Sequence, residues 1–142
     1  MAEIKQLYGN PQTLTVTGMT TLANAASATS ATVNNTTTNY LDVLVEVVVT
    51  TAASGTLITG IVEIWAKGSI DNTDFDDDVN DKWIGTVPMA VAGAQTRKRI
   101  VSVAAGFSGT LPPYFQIRIR NASGGAFTAG TVSYVGVTVQ SV

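Results

Sequence analysis

Apolar residues alternate with polar ones along most of this chain, and they almost never recur at helical spacing. No window of a dozen residues places apolar side chains at i, i+3, i+4 and i+7 with good helix formers between them. Val, Ile and Thr dominate instead, and these β-branched residues fit a pleated surface. The pattern predicts about eight strands. Residues 12–18 alternate Leu14 and Val16 with Thr13, Thr15 and Thr17, and 19–23 continue or pair nearby. Residues 39–51 form the strongest strand, with Leu41, Val43, Val45, Val47 and Val49 on one face and Asp42, Leu44, Glu46 and Val48 on the other. Residues 57–67 place Ile61, Glu63, Trp65 and Lys67 opposite Val62, Ile64 and Ala66. Further strands are predicted over 82–87, stopped by Pro88, and over 95–104, 114–120 and 131–140. In 114–120, Phe115, Ile117 and Ile119 are expected to point inward, and Gln116, Arg118 and Arg120 outward.

Turn-forming residues separate these segments. AASG at 52–55, GFSGTLPP at 106–113 and NASGG at 121–125 read as turns, and the small polar stretch 24–38 reads as a loop anchored at Val33. Residues 68–81 form an acidic loop. Short strands with long Gly/Pro turns and no helix predict an all-β, antiparallel β-sandwich, a jelly roll, with an immunoglobulin-like sandwich as the rival. Residues 12–142 make one domain of this kind, and residues 1–11 lie outside the pattern as an N-terminal arm. At 142 residues the chain can bury a core without a staple.

Composition narrows the chemistry. The chain has no Cys and no His, which removes thiolate chemistry, the commonest general base and the commonest metal ligand. An enzyme is therefore not expected, nor is a cofactor. The net charge is −2, so nucleic acid is not an expected partner. The longest apolar stretch, within 41–49, is broken by Asp42 and Glu46, so no membrane partner is expected. The start, MAEIKQLYGNP, carries no apolar core of a secretory signal, which points to a protein made in a cytoplasm.

Three features could carry binding. The first is the acidic loop, with Asp71, Asp74, Asp76, Asp77, Asp78 and Asp81. Asp74, Asp76 and Asp78 begin like a calcium loop, but Val79 stands where a Gly is needed and Gly85 where a Glu is needed. A solvated, self-repelling loop is the expected reading, and no metal is assigned. The second is the basic run Arg97, Lys98 and Arg99, which opens a strand and could meet an acidic partner or defend a sheet edge. The third is the pair Trp65 and Trp83. They are expected in core or interface packing, and would serve as a sugar platform only if exposed with each other or with Tyr114 on one face.

The segments YLDVLVEVVV (40–49), EIWAKGSIDN (63–72) and VSVAAGFSGTLPPYFQIRIRNASGGAF (101–127), with Tyr134 and Gly136 in the last strand, resemble the jelly-roll decoration, or cement, proteins of tailed-bacteriophage heads. The resemblance implies a virion structural protein on the outer surface of the capsid. It implies two partners: the major capsid protein, and sister copies in a homotrimer. It also implies that the N-terminal arm touches the shell or a neighbouring subunit, which singles out Ile4, Leu7 and Tyr8; the basic run Arg97, Lys98 and Arg99 completes the expected contact set. The alternative is a carbohydrate- or receptor-binding β-sandwich module of a phage tail or fibre.

Overall fold

In a computed structural model that describes residues 3–51, 60–89 and 94–141, the chain forms two antiparallel sheets stacked face to face. The strands in chain order are β1 (Ile4–Tyr8), β2 (Gln12–Thr13), β3 (Ser27–Thr29), β4 (Val33–Asn34), β5 (Asp42–Thr51), β6 (Ile61–Ser69), β7 (Lys82–Pro88), β8 (Gln95–Ser102), β9 (Tyr114–Ala122) and β10 (Phe127–Ser141). The back sheet runs β1-β10-β5-β8, with β2 also on β10. The front sheet runs β3-β9-β6-β7, with β4 also on β9. The chain crosses between the sheets after β2, β4, β5, β7, β8 and β9, and only β1–β2, β3–β4 and the β6–β7 pair stay within one sheet, which suits a jelly roll.

Alternation explains the core. Val43, Val45, Val47 and Val49 of β5 are fully buried against Val62, Ile64, Ala66, Phe115, Ile117 and Ile119 of the front sheet. β5 and β9 turn inward the faces expected from the sequence, β6 turns inward the face opposite Trp65, and burying each Val, Ile or Phe here is worth about 1.5–3 kcal/mol. Leu41, grouped with them by parity, instead precedes β5 and is exposed. The expected turn at 52–55 and the first residues of the strand expected from 57 lie outside the described residues.

The structure departs from the alternation pattern in three places. Residues 24–38 supply two short strands, β3 and β4, because Ala28 and Val33, paired beside Ile119 and Phe115 of β9, each bury one side chain in the core. The strand expected over 95–104 ends at Ser102, where Val103–Gly106 form one turn of helix, α1. Ser102 caps that turn by accepting from Ala105 N–H (3.2 Å), and Asp42 accepts from Ala104 N–H (2.9 Å) and Ser102 Oγ (2.7 Å). Finally, Ile4–Tyr8 form no separate arm: they pair with Val137–Ser141 as an edge strand. All five residues are exposed, so no buried face marks the strand in the sequence.

Gly136 is dictated by packing. A Cβ on Gly136 would lie 2.1 Å from the Tyr40 ring, so the missing side chain is the seat of that ring against β10.

Candidate functional site

The outer face of the front sheet is built by the cross-strand register of β9, β6 and β7. Glu63 lies opposite Arg120, Trp65 opposite Arg118 and Lys67 opposite Gln116. All six therefore share the face turned away from the core.

A bulge brings Trp83 onto the same face. Ile64 pairs with Gly85, but the next residue, Trp65, pairs with Trp83, which leaves Ile84 as an extra residue on β7. Gly85 and Val87 face the core, so unbroken alternation would turn Trp83 inward with them. The extra residue reverses the parity: Ile84 packs against the core and Trp83 stands outside, 56% exposed. As cross-strand partners, Trp65 and Trp83 have side chains that start about 5 Å apart. Of the expectation that the two tryptophans pack in the core or in an interface, the core half is thus corrected for Trp83. Trp65 is half-buried and Trp83 is open, while Tyr114, also half-buried, lies on the same face opposite Ser69. The signal available in the sequence was the adjacent pair Trp83-Ile84, two large apolar side chains that one regular strand cannot send to the same face.

Charged groups fix this surface. The Arg118 guanidinium lies over the Trp65 ring, 5.2 Å from its centroid. Its Nε and Nη2 converge on Asp81 Oδ2 at 2.6 and 2.5 Å, and Nη1 donates to Ser27 Oγ at 3.3 Å. The Arg118 and Asp81 side chains are both more than nine-tenths buried, although Arg118 reads in the sequence as an outward residue. The acidic loop achieves this by folding back over the sheet: Asp76 N–H donates to Gly68 O, Gly68 N–H donates to Asp76 Oδ2, and Lys67 pairs with Asp78. The Lys67 ammonium holds the Asp78 carboxyl below its ordinary pKa. Asp71 is lowered too, first by Asp74 N–H and then by Thr73, both of which donate to it. These aspartates build the loop, and among the described residues no three acidic groups converge on a point that could hold a metal ion. On the open side of Trp65, Glu63 accepts from Trp65 Nε1 (3.2 Å) and from Arg120 (3.1 Å).

The remaining candidate residues fall elsewhere and apart. Ile4, Leu7 and Tyr8 lie on β1, one edge of the back sheet. Arg97, Lys98 and Arg99 lie exposed on β8, its opposite edge, with β10 and β5 between. At about 4.8 Å per strand, the two groups stand roughly 14 Å apart and form no single patch. Among the described residues, no helix is long and apolar enough to cross a membrane.

No family model matches the sequence, and no curated protein matches it. Among solved structures, the chain is similar to the xylan-binding module CBM15, with a TM-score of 0.50 and 13% identity over 96% of this chain and 97% of that one. It is also similar to the CBM35 from Cellvibrio japonicus Abf62, with a TM-score of 0.42 and 14% identity over 84% of this chain and 72% of that one. A third similarity is to a Clostridium thermocellum xylanase 10B structure holding CBM22-1 and GH10 modules with xylohexaose. There the TM-score is 0.44 and the identity 9%, over 87% of this chain and 26% of that one. At these identities the likeness to CBM15 establishes the shared jelly-roll sandwich and nothing finer.

Proposed function

We propose that this chain is a non-catalytic, carbohydrate-binding β-sandwich module whose ligand surface is the outer face of the front sheet. The observation that carries this reading is the bulge at Ile84, which spends a regular strand pairing to expose Trp83 beside Trp65. The C–H face of a pyranose is weakly positive and apolar, and it stacks on the negative face of an indole. The rim supplies what sugar hydroxyls need: carboxylate oxygens on Glu63, guanidinium donors on Arg120, and the amide of Gln116. Arg118 occupies one side of Trp65 and, being clamped by Asp81, keeps the ring from rotating when a ligand arrives. The fold shared with a xylan-binding module supports the same reading. No His or Cys is present to supply catalysis, and the role proposed here is binding alone.

Affinity electrophoresis through gels containing xylan, soluble β-glucan or a bacterial surface polysaccharide tests this. At least one polysaccharide should retard the protein, and Trp83→Ala should weaken that binding about tenfold or more while leaving the circular dichroism spectrum unchanged. Migration unaffected by every polysaccharide would end this reading.

A second reading, a phage-head decoration protein, is favoured by a separate observation: the edge strand β8 exposes three successive cations, Arg97 and Arg99 on one face and Lys98 on the other. An acidic strip on a shell is the partner they fit. In that case Arg97→Glu/Lys98→Glu/Arg99→Glu abolishes cosedimentation with shells, and Trp83→Ala leaves it intact.

A further inference from the structure

Among the described residues the sandwich has several edge strands, and all but one are protected against strand addition. β8 carries Arg97, Lys98 and Arg99, so a copy of itself laid antiparallel about Lys98 would stack like charges. β7 is distorted by its bulge and ends in Pro88. β2, β3 and β4 are too short to template a partner. β1 has none of these defences. Its one cation, Lys5, is paired with Glu3, and Ile4 and Tyr8 are 76% and 62% exposed.

The hydrogen-bond phase of β1 says which residues are free. Gly9 N–H donates to Gly136 O (2.9 Å), so Gly9 turns its backbone groups toward β10. In an antiparallel ladder this direction alternates by residue. Leu7, opposite Thr138, and Lys5, opposite Gln140, therefore bond to β10. Ile4, Gln6 and Tyr8 turn their N–H and C=O groups to the open edge. Their side chains also share one face, where Tyr8 borders an apolar groove with Leu44, Ile100 and Val135.

We infer that β1 is a self-association edge, and that its occupant is β1 of a second copy, paired antiparallel about a two-fold axis at Gln6. In that register Gln6 exchanges backbone hydrogen bonds with its own counterpart, and Ile4 does so with Tyr8 of the other copy. On one face Ile4 packs beside the second copy's Tyr8, an aliphatic–aromatic pair of the kind that stabilises sheets. On the other face Lys5 meets Leu7, so no like charges oppose each other. The contact is isologous and closes at two copies, which joins the two back sheets into one and differs from the trimer the phage resemblance implies.

Sedimentation of the full chain over a range of concentrations tests this. The wild type should show a reversible dimer. Gln6→Pro removes an N–H that faces only the partner, so it should weaken the dimer by about 30-fold or more, through two lost bonds per pair, at an unchanged melting temperature. Ile4→Lys and Tyr8→Glu should each weaken it as single changes, and the double variant should recover it, because the register sets each lysine opposite a glutamate. A wild type that stays monomeric, a trimer, or a double variant no tighter than the singles would overturn the inference. So would a wild type that associates only once shells are added.

Discussion

The two outer faces of this sandwich share one core and are finished in opposite ways. The front face carries Glu63, Trp65, Lys67, Arg118 and Arg120, tied together by ion pairs and covered at one end by the acidic loop. The back face carries Leu44, Ile100 and Val135, exposed or half-exposed, and its central ion pair is the loose Lys98–Glu46 contact (3.6 Å). A buried, hydrogen-bonded ion pair holds side chains in one geometry, whereas an apolar face holds nothing until something covers it. The front face is thus arranged in advance of any ligand, and the back face and its β1 edge gain order only from a partner.

This contrast breaks most severely at Asp81. Asp81→Ala leaves the Arg118 guanidinium buried, with Asp78 (3.7 Å) as its remaining anionic neighbour. We expect a loss of about 3 kcal/mol in urea unfolding. The double change Asp81→Ala/Arg118→Met should recover much of that, because it removes both charges and leaves an apolar side chain on Trp65. A smaller effect is expected at Trp65. Trp65→Ala deletes the surface on which Arg118 rests and the bond to Glu63, and should cost about 1–2 kcal/mol in the same assay. Trp83→Ala, on the same face but fully outside, should cost under about 1 kcal/mol and act on binding instead.

Acid should separate the faces further. Asp78 and Asp71 have carboxyl pKa values lowered by folding, so each stabilises the fold above its ordinary pKa, near 4. That contribution is lost as the pH falls below about 4 and through the lower folded values. Near-ultraviolet circular dichroism from Trp65 should therefore stay constant from neutral pH down to about 5 and change only below about 4, as Lys67 and Arg118 lose the loop. The smallest effect belongs to the back face. Ile100→Thr should change stability by no more than about 0.5 kcal/mol, because Ile100 is 58% exposed in the isolated chain. If Ile100→Thr destabilises as much as Trp65→Ala, the contrast between the faces is wrong.

The inward faces of β5 and β9 and the two faces of β6 were legible in the sequence because strand periodicity is local: each residue's side is set by its neighbours along the chain. The same reading separated the acidic loop from the strands around it and excluded His- and Cys-based chemistry. The candidate site was legible only in its ingredients. Trp65 was placed correctly opposite Val62 and Ile64, but its exposure could not be read, because it depends on what lies across the sheet. The adjacent pair Trp83-Ile84 shows in the sequence that one of the two must face out, but which one depends on a bulge, and a bulge exists only relative to a partner strand: the pairing of Gly85 with Ile64 and of Trp83 with Trp65 decides it. Arg118 appeared to be an outward charge; it is buried because a loop distant in sequence brings Asp81 down on it. Residues 4–8 appeared to be an arm because no core face marks them, and only the ladder with β10 makes them an edge. Local alternation by itself thus determined which side chains fill the core, and pairing across strands decided which of the rest are clamped, bared or left at an open edge.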